Sequence, residues 1–406
     1  MTTRESRKSW ITYALAMGWL FLLLWPLLGI RPDGLVFGAT LEVWGKIAAA
    51  CAVILALVQL NRAGHLDFVA SPARRAAAKV QSLYAASPKW IFLTVLLAVA
   101  ILYPFITSRY GQDVAINVLV YVCLGLGLNI VIGLCGLLDL GYIAFYGVGA
   151  YTYALLSVHY GISFWVALPF AAFFASIAGC IIGYPTLRMR GDYLAIVTLG
   201  FGEIVRLILN NWMTLTNGPN GILGIKAPGA WVPDFAQGFS LEHVWLSSPK
   251  ELYYVILLLA VITIISVYRL NYSRIGRAWE AIREDETAAE LMGVNTFKLK
   301  LLAYAMGAVF GGLAGAFFSS KMRFVSPESF TFLESAMVLA MVVLGGLGSI
   351  PGVFLGVLAL IALPEVFREF ELYRMLVFGG AMTFMMVVKP KGFWPAKRFG
   401  KRSEED

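Results

Sequence analysis

Side chains able to do chemistry are scarce in this chain and gather in a few places. The densest is Arg277-Ala-Trp-Glu280-Ala-Ile-Arg283-Glu284-Asp285-Glu286-Thr-Ala-Ala-Glu290-Leu-Met-Gly293, between two apolar stretches. It is helix-forming, carries both signs of charge and closes on a glycine suited to a helix C-cap. Such a segment is a place where the chain could be driven from outside itself. The second place is Arg188-Met-Arg190-Gly-Asp192-Tyr193, followed by an apolar segment that holds Glu203 and Arg206. Those two are three residues apart, with opposite sign, on one face of a helix. Ionisable groups in a lipid-spanning segment are costly and face a bundle interior or water. The pair is therefore either part of the wall or gate of a path, or an internal structural ion pair. Asp139, between two apolar runs, is either a loop carboxylate or a pore-side group. Lys46 lies early in an apolar stretch and is expected to snorkel outward.

Covalent and metal chemistry find little support. No Gly-x-x-x-x-Gly-Lys-[Ser/Thr] loop is present to cradle a phosphate, and no His-Glu-x-x-His. The histidines, His65, His159 and His243, are far apart in sequence. Cys51, Cys123, Cys135 and Cys180 sit in apolar runs without a Cys-x-x-Cys and read as buried, inert thiols. No polar segment is long enough to be a catalytic domain. No cofactor or metal is expected on the chain.

Long apolar segments must position these residues. The 406 residues are 59% hydrophobic and 14% charged, against about 25% charged in a soluble domain. Runs of about 20 apolar residues, the length that spans a bilayer as helix, recur along the chain. The expected fold class is an all-α polytopic membrane protein with about 10–12 transmembrane helices, some broken or half-length. Candidate spans are 10–30, 41–60, 90–108, 114–137, 140–160, 163–187, 193–211, 252–270, 301–320, 334–347, 350–364 and 373–388. The stretch Trp10 to Ile30 exceeds the about 7–15 residues of a signal-peptide core, and no small-residue cleavage site follows, so an uncleaved first helix is expected. Gly345-Gly-Leu-Gly-Ser-Ile-Pro351-Gly352 divides two short spans. Broken backbone at membrane depth is tolerated only inside protein or beside a water-filled path.

The formal charge is +8, but its placement argues against nucleic-acid binding. About 22 of the 32 Lys and Arg lie in the tails and alternate loops: Arg4 to Lys8, Arg62 to Lys89, Arg188 and Arg190, Arg269 to Lys300, and from Lys389 onward. That asymmetry orients the chain with both termini inside, and gives affinity for anionic headgroups as a side effect. The largest outside loop, from about Asn211 to Lys250, opens with Asn217-Gly-Pro-Asn-Gly221, dense turn chemistry. It is either a folded surface loop or a platform for an extracytoplasmic partner. Gly133, Gly136, Gly141, Gly147 and Gly149 lie among Tyr142, Phe145, Tyr146 and Tyr151. They either let helices pack closely or line a path for a small solute with an apolar side. Gly307, Gly311, Gly312 and Gly315 make a second packing face. The chain divides into accessory helices with a basic loop (1–110), a core (111–395) and a tail (396–406).

Several stretches, in this order, carry a family resemblance. They are Gly136-Leu-Leu-Asp139-Leu-Gly-Tyr-Ile-Ala-Phe-Tyr-Gly-Val-Gly-Ala-Tyr151, Leu187-Arg-Met-Arg-Gly-Asp192 through Glu203-Ile-Val-Arg206, and Asn217-Gly-Pro-Asn-Gly-Ile222. Then come Gly276 to Glu286, Phe324-Val-Ser-Pro-Glu-Ser-Phe-Thr-Phe332 and Val343-Leu-Gly-Gly-Leu-Gly-Ser349. Over residues 113–395 the chain resembles the LivM-type membrane subunits of bacterial high-affinity branched-chain amino acid importers. Permeases of ATP-binding-cassette importers carry Glu-Ala-Ala, three residues, then Gly. Thr287-Ala288-Ala289-Glu290-Leu291-Met292-Gly293 fits, with Thr for the usual Glu, while the Ile-x-Leu-Pro that follows in that pattern is missing.

The resemblance implies a half-permease of the bacterial inner membrane. A homologous LivH-type subunit would complete the path. Two cytoplasmic ATPase subunits would bind ATP and Mg, and a periplasmic binding protein would deliver Leu, Ile or Val. Glu280, Glu284, Asp285, Glu286, Ala288, Ala289 and Gly293, in the 277–293 segment, would couple to the ATPases. Asp139, Asp192, Glu203 and Arg206 would belong to the path or its gate. An ion-driven secondary transporter would show paired carboxylates near mid-membrane in two repeated halves. A membrane-embedded enzyme would need a polar catalytic cluster. The sequence offers neither clearly.

Overall fold

The computed structural model describes residues 30–31, 34–35, 89–187, 189, 192–234, 240–366, 392 and 394. The expected spans 41–60 and 373–388, and 10–30 apart from its last residue, lie outside the described residues, as does Lys46. The chain divides into two compact units, Met1–Val99 and Ala100–Asp406. In the first, β1 (Ile30–Arg31) pairs antiparallel with β2 (Gly34–Leu35). α1 spans Lys89–Ile106.

The second unit is a helical bundle. α2 (Arg109–Asn129) runs into a π-turn at Ile130–Leu134, followed by α3 (Ile143–Tyr160), α4 (Phe164–Thr186) and α5 (Asp192–Asn211). The short α6 (Met213–Thr216), β3 (Ile222–Leu223), β4 (Gly229–Asp234) and β5 (Ser240–Trp245) come next. α7 (Pro249–Asn271) leads to α8 (Arg274–Glu284) and α9 (Glu286–Leu291), and α10 (Thr296–Met322) returns. β6 (Phe324–Val325), α11 (Phe332–Gly345), α12 (Ile350–Val357) with a second π-turn, and α13 (Leu363–Val366) complete the described bundle.

Six helices among the described residues are long and apolar enough to cross a membrane: Arg109–Leu134, Phe164–Thr186, Tyr193–Asn211, Pro249–Asn271, Thr296–Met322 and Pro327–Gly345. The chain is a multi-pass, mostly helical membrane protein. α10, with 27 residues, is about 40 Å long at about 1.5 Å per residue. α7 ends at α8, and α10 begins after α9 and ends at β6, so the charged segment sits at one end of the bundle. At the other end β3 and β6 pair antiparallel. The long loop there also folds a hairpin, β4 against β5.

Small residues set the packing around α10. A methyl on Gly149 of α3 would overlap the Gly312 carbonyl, and one on Gly315 the Tyr146 carbonyl. Backbones approach this closely in lipid only where side chains are absent. The Tyr142 hydroxyl donates to the Gly307 carbonyl at 2.9 Å, a buried polar group satisfied across the seam.

Two breaks interrupt the helices. The expected span 140–160 begins only at Ile143, because residues 135–142 form a loop. Gly136 has φ +78°, a left-handed value that glycine adopts freely, and the Asp139 carboxylate accepts the Gly141 N–H at 2.8 Å. The second break is the glycine stretch expected from the sequence. α11 stops at Gly345 and α12 starts at Ile350. The Asn129 side chain accepts the Gly348 N–H at 2.8 Å, and Ser349 caps α12 through the Gly352 N–H at 3.1 Å. This broken backbone is buried in protein, as lipid requires.

Candidate functional site

The charged segment is two short helices with a cap at every end. Ser273 opens α8 by accepting the Gly276 N–H at 3.1 Å. The sequence suggests one helix to Gly293, yet the chain breaks at Asp285, which is extended (φ −154°, ψ 110°). Its carboxylate accepts the Ala288 N–H at 3.0 Å and so caps α9. At the far end Gly293 has φ +85°. The Gly293 N–H donates to Glu290 at 2.9 Å and the Val294 N–H to Ala289 at 3.1 Å, the two bonds of a Schellman motif. Asn295 then caps α10 through the Lys298 N–H at 3.0 Å.

Three side chains tie this segment to the bundle. Trp279 is fully buried and its indole N–H donates to the Leu299 carbonyl at 2.8 Å. Arg283 donates from Nη1 to the Gly133 carbonyl in the π-turn after α2. Lys300, buried at the start of α10, pairs with Glu286 at 2.6 Å. Ile282 and Ala289 are also buried. The opposite face is open: Glu284, Asp285, Ala288 and Gly293 are exposed, and Leu291 and Met292 are 83% and 85% exposed. Glu280 is half-buried.

The seven residues expected to couple thus sort by what they touch. Glu286 and Ala289 face inward, Asp285 spends its carboxylate on a cap, and the others are on or beside the open face. The exposed pair Leu291–Met292 was not singled out from the sequence, nor were Trp279, Arg283 and Lys300 as anchors. Trp279 and Ile282, three apart on a charged helix, were the available signal.

The second group of residues lies around a narrow crevice between the 135–142 loop, α5 and α11. Leu140, Gly141, Ile143, Leu199, Gly202, Glu203, Phe330, Phe332 and Ser335 line it. Thr198 accepts the Leu140 N–H at 3.1 Å and Ser335 the Ile143 N–H at 3.0 Å, so the loop is fixed to both helices. Arg206 Nε donates to Glu203 at 2.8 Å, each side chain being about a third exposed (30% and 33%). Asp139 is buried, and one carboxylate oxygen takes the Gly141 N–H. Burial pushes its carboxyl up to about 6, against hydrogen bonding from the Gly141 backbone and the Thr198 side chain, which lower it. Asp192 begins α5. A further carboxylate, Glu334 in the first turn of α11, accepts the Tyr121 hydroxyl at 2.7 Å and escaped the sequence reading. Among the described residues no three His, Cys, Asp or Glu come together to hold a metal ion.

Comparison with known proteins places the chain in a family. Residues 110–386 match the family described as branched-chain amino acid transport system / permease component. The high-affinity branched-chain amino acid transport system permease protein LivM of Escherichia coli K12 is 47% identical over 321 residues, which is 76% of this chain and 75% of that protein. The probable branched-chain amino acid transport permease protein LivM of Methanocaldococcus jannaschii is 27% identical over 247 residues, 56% of this chain and 68% of its own length. The high-affinity branched-chain amino acid transport system permease protein LivH of Escherichia coli K12 is 26% identical over 284 residues, 67% of this chain and 90% of LivH. No solved structure matches the chain. The family match over most of the chain and the 47% identity to LivM give the same answer, a membrane component of a transport system; the chain belongs to the family of branched-chain amino acid transport system permease components.

Proposed function

We propose that this chain is one membrane subunit of an ATP-driven importer of branched-chain amino acids, and that α8 and α9 are its contact with the ATPases. The observation that carries the coupling reading is the construction of that segment: fixed inward by Trp279, Arg283 and Lys300, and open outward at Glu284, Ala288, Leu291, Met292 and Gly293. A push on the open face would pass to the π-turn of α2 and to α10 without being lost in the elbow itself.

In this reading a second, LivH-type membrane subunit completes the path. Two ATPase subunits hold ATP and Mg in the cytoplasm, and a periplasmic binding protein presents Leu, Ile or Val. The chain sits in the bacterial inner membrane with both termini and α8–α9 on the cytoplasmic side, consistent with the basic residues from Arg269 to Lys300. The β3–β6 end, with the β4–β5 hairpin, then faces the binding protein. A branched aliphatic side chain needs an apolar path, with polar groups only for its ammonium and carboxylate. The crevice lined by Leu140, Ile143, Leu199, Phe330 and Glu203 has that mixture, with Arg206 and Asp139 nearby. Asp192, at the start of α5, belongs to the same helix as the pair.

The test is purification of the tagged chain from mild detergent, with an ATPase assay on the material obtained. The expected result is a second permease and two ATPases in the complex, with hydrolysis that rises on adding leucine-loaded binding protein. A chain that purifies alone and moves leucine in liposomes with an ion gradient and no ATP overturns the reading.

A further inference from the structure

The outward face of α5 is built unlike the other exposed membrane faces of this chain. Among the six candidate spans it is the least enclosed: 17% of its most apolar stretch is buried inside the chain, against 78% for α2. Its inner side, Leu194, Ala195 and Thr198, packs on the bundle. Its outer side reads Tyr193, Ile196, Gly200, Glu203 and Leu207, spaced alternately three and four residues as on one stripe of a helix. Tyr193 and Ile196 are 72% and 64% exposed.

Lipid alone does not account for this stripe. α4 also exposes a broad face, with Phe170, Phe173, Phe174, Ile177 and Ile181, and carries no Asp, Glu, Lys, Arg or His from Phe164 to Thr186. That is a lipid face. α5 carries the Glu203–Arg206 pair, a third exposed, at the border between this stripe and the bundle, where hydrocarbon would penalise it. Gly200 gives a second, independent sign. A Cβ built there meets nothing within 4 Å, so no contact among the described residues requires glycine, although glycine weakens a helix. Close approach of a helix from another chain gives such a glycine a purpose.

We infer that the Tyr193–Leu207 stripe of α5 is the surface that packs against the second, homologous membrane subunit, with Gly200 as the point of closest approach and Glu203–Arg206 enclosed at the seam. This rests on the importer reading, which supplies the second subunit, and adds where that subunit sits. A homologous chain is the occupant that the face fits: an apolar helix over Tyr193, Ile196 and Leu207, with polar groups opposite the ion pair. Glu203 also lines the crevice, so the seam and the candidate path meet at one residue.

The experiment uses the assembled complex in native membranes. A photoreactive benzoylphenylalanine is placed at Ile196 or Leu207, with Phe173 of α4 as the lipid-facing control. The expected result is an adduct of this chain with the second permease at Ile196 and Leu207, at least tenfold above the yield at Phe173. Lipid adducts alone at all three positions overturn the inference, as does an adduct with another copy of this chain. Gly200→Leu provides a second readout. Open space at this position leaves the subunit's own folding intact, so co-purified second permease should fall at least fivefold while the amount of inserted chain is unchanged. Retention of the second permease at the wild-type level by Gly200→Leu overturns the inference. If the wild-type complex contains no second permease at all, the importer reading has failed; if it contains one that never cross-links from α5, only the interface has failed.

Discussion

Gly293→Val tests the coupling segment most directly. Gly293 has φ +85°, and a Cβ built there meets nothing within 4 Å. Volume among the described residues is therefore no obstacle, and the penalty comes from the backbone. An L residue held in the left-handed region costs about 1–2 kcal/mol, a β-branched one more, while Asn tolerates it better. A cost of about 1–2 kcal/mol shifts an equilibrium by roughly 5- to 30-fold. The conformation at stake is the Schellman turn, made by the Gly293 and Val294 N–H groups, which sets where Leu291 and Met292 project. The six-residue α9 lies at the edge of the bundle, so insertion and assembly of the long helices should be unaffected. The assay is leucine uptake and ATP hydrolysis by the complex in liposomes with loaded binding protein. Uptake by Gly293→Val should fall roughly 5- to 30-fold, with more ATP hydrolysed per solute moved. Gly293→Asn should stay within about threefold of wild type. Uptake by Gly293→Val within twofold of wild type would refute the coupling role. Equal damage by Asn and Val would show that the contact surface, and not the backbone angle, is what matters.

Other expectations follow from the same geometry. Trp279→Ala should destabilise the detergent-solubilised subunit by about 3–5 kcal/mol, seen as a lower melting temperature, since a fully buried indole and its bond to Leu299 are both lost. Trp279→Phe, which keeps most of the packing, should cost clearly less. Removing one member of the 2.8 Å pair by Glu203→Gln or Arg206→Gln should reduce uptake, because the remaining charge is left uncompensated. Swapping them, Glu203→Arg with Arg206→Glu, restores uptake if the pair is purely structural and leaves it low if the order of charges faces the solute. Asp139 titrates near 6 in the fold and near 3.8 without it, so its neutral form is favoured by folding. Stability from this group is complete below about pH 4 and lost as pH rises through 6. Melting of wild type relative to Asp139→Asn should therefore worsen from pH 4 to pH 7, and parallel curves would contradict the buried-carboxyl geometry. Gly149→Leu should give no assembled subunit, because its Cβ alone overlaps the Gly312 carbonyl; normal yield on a size-exclusion column would disprove that contact.

What the sequence determined by itself is whatever local chemistry controls. Apolar runs of bilayer length specified the spans between Lys89 and Gly345, because a backbone in lipid must satisfy its hydrogen bonds within helices. Gly293 and the Gly345–Gly352 stretch ended helices where left-handed glycines and turn residues act over a few positions. Glu203 and Arg206 were readable as a pair because i, i+3 spacing alone brings them together. Tertiary structure decided the rest. Arg283 reaches a carbonyl 150 residues away in the π-turn, and Glu334 meets Tyr121 across 213 residues; no local period encodes either. The sharp loop at 135–142 depends on Thr198 and Ser335 holding its N–H groups from two other helices. Which exposed helix faces lipid and which faces protein depends on where the bundle leaves Gly200 and the ion pair, since hydrophobicity is the same signal in either case.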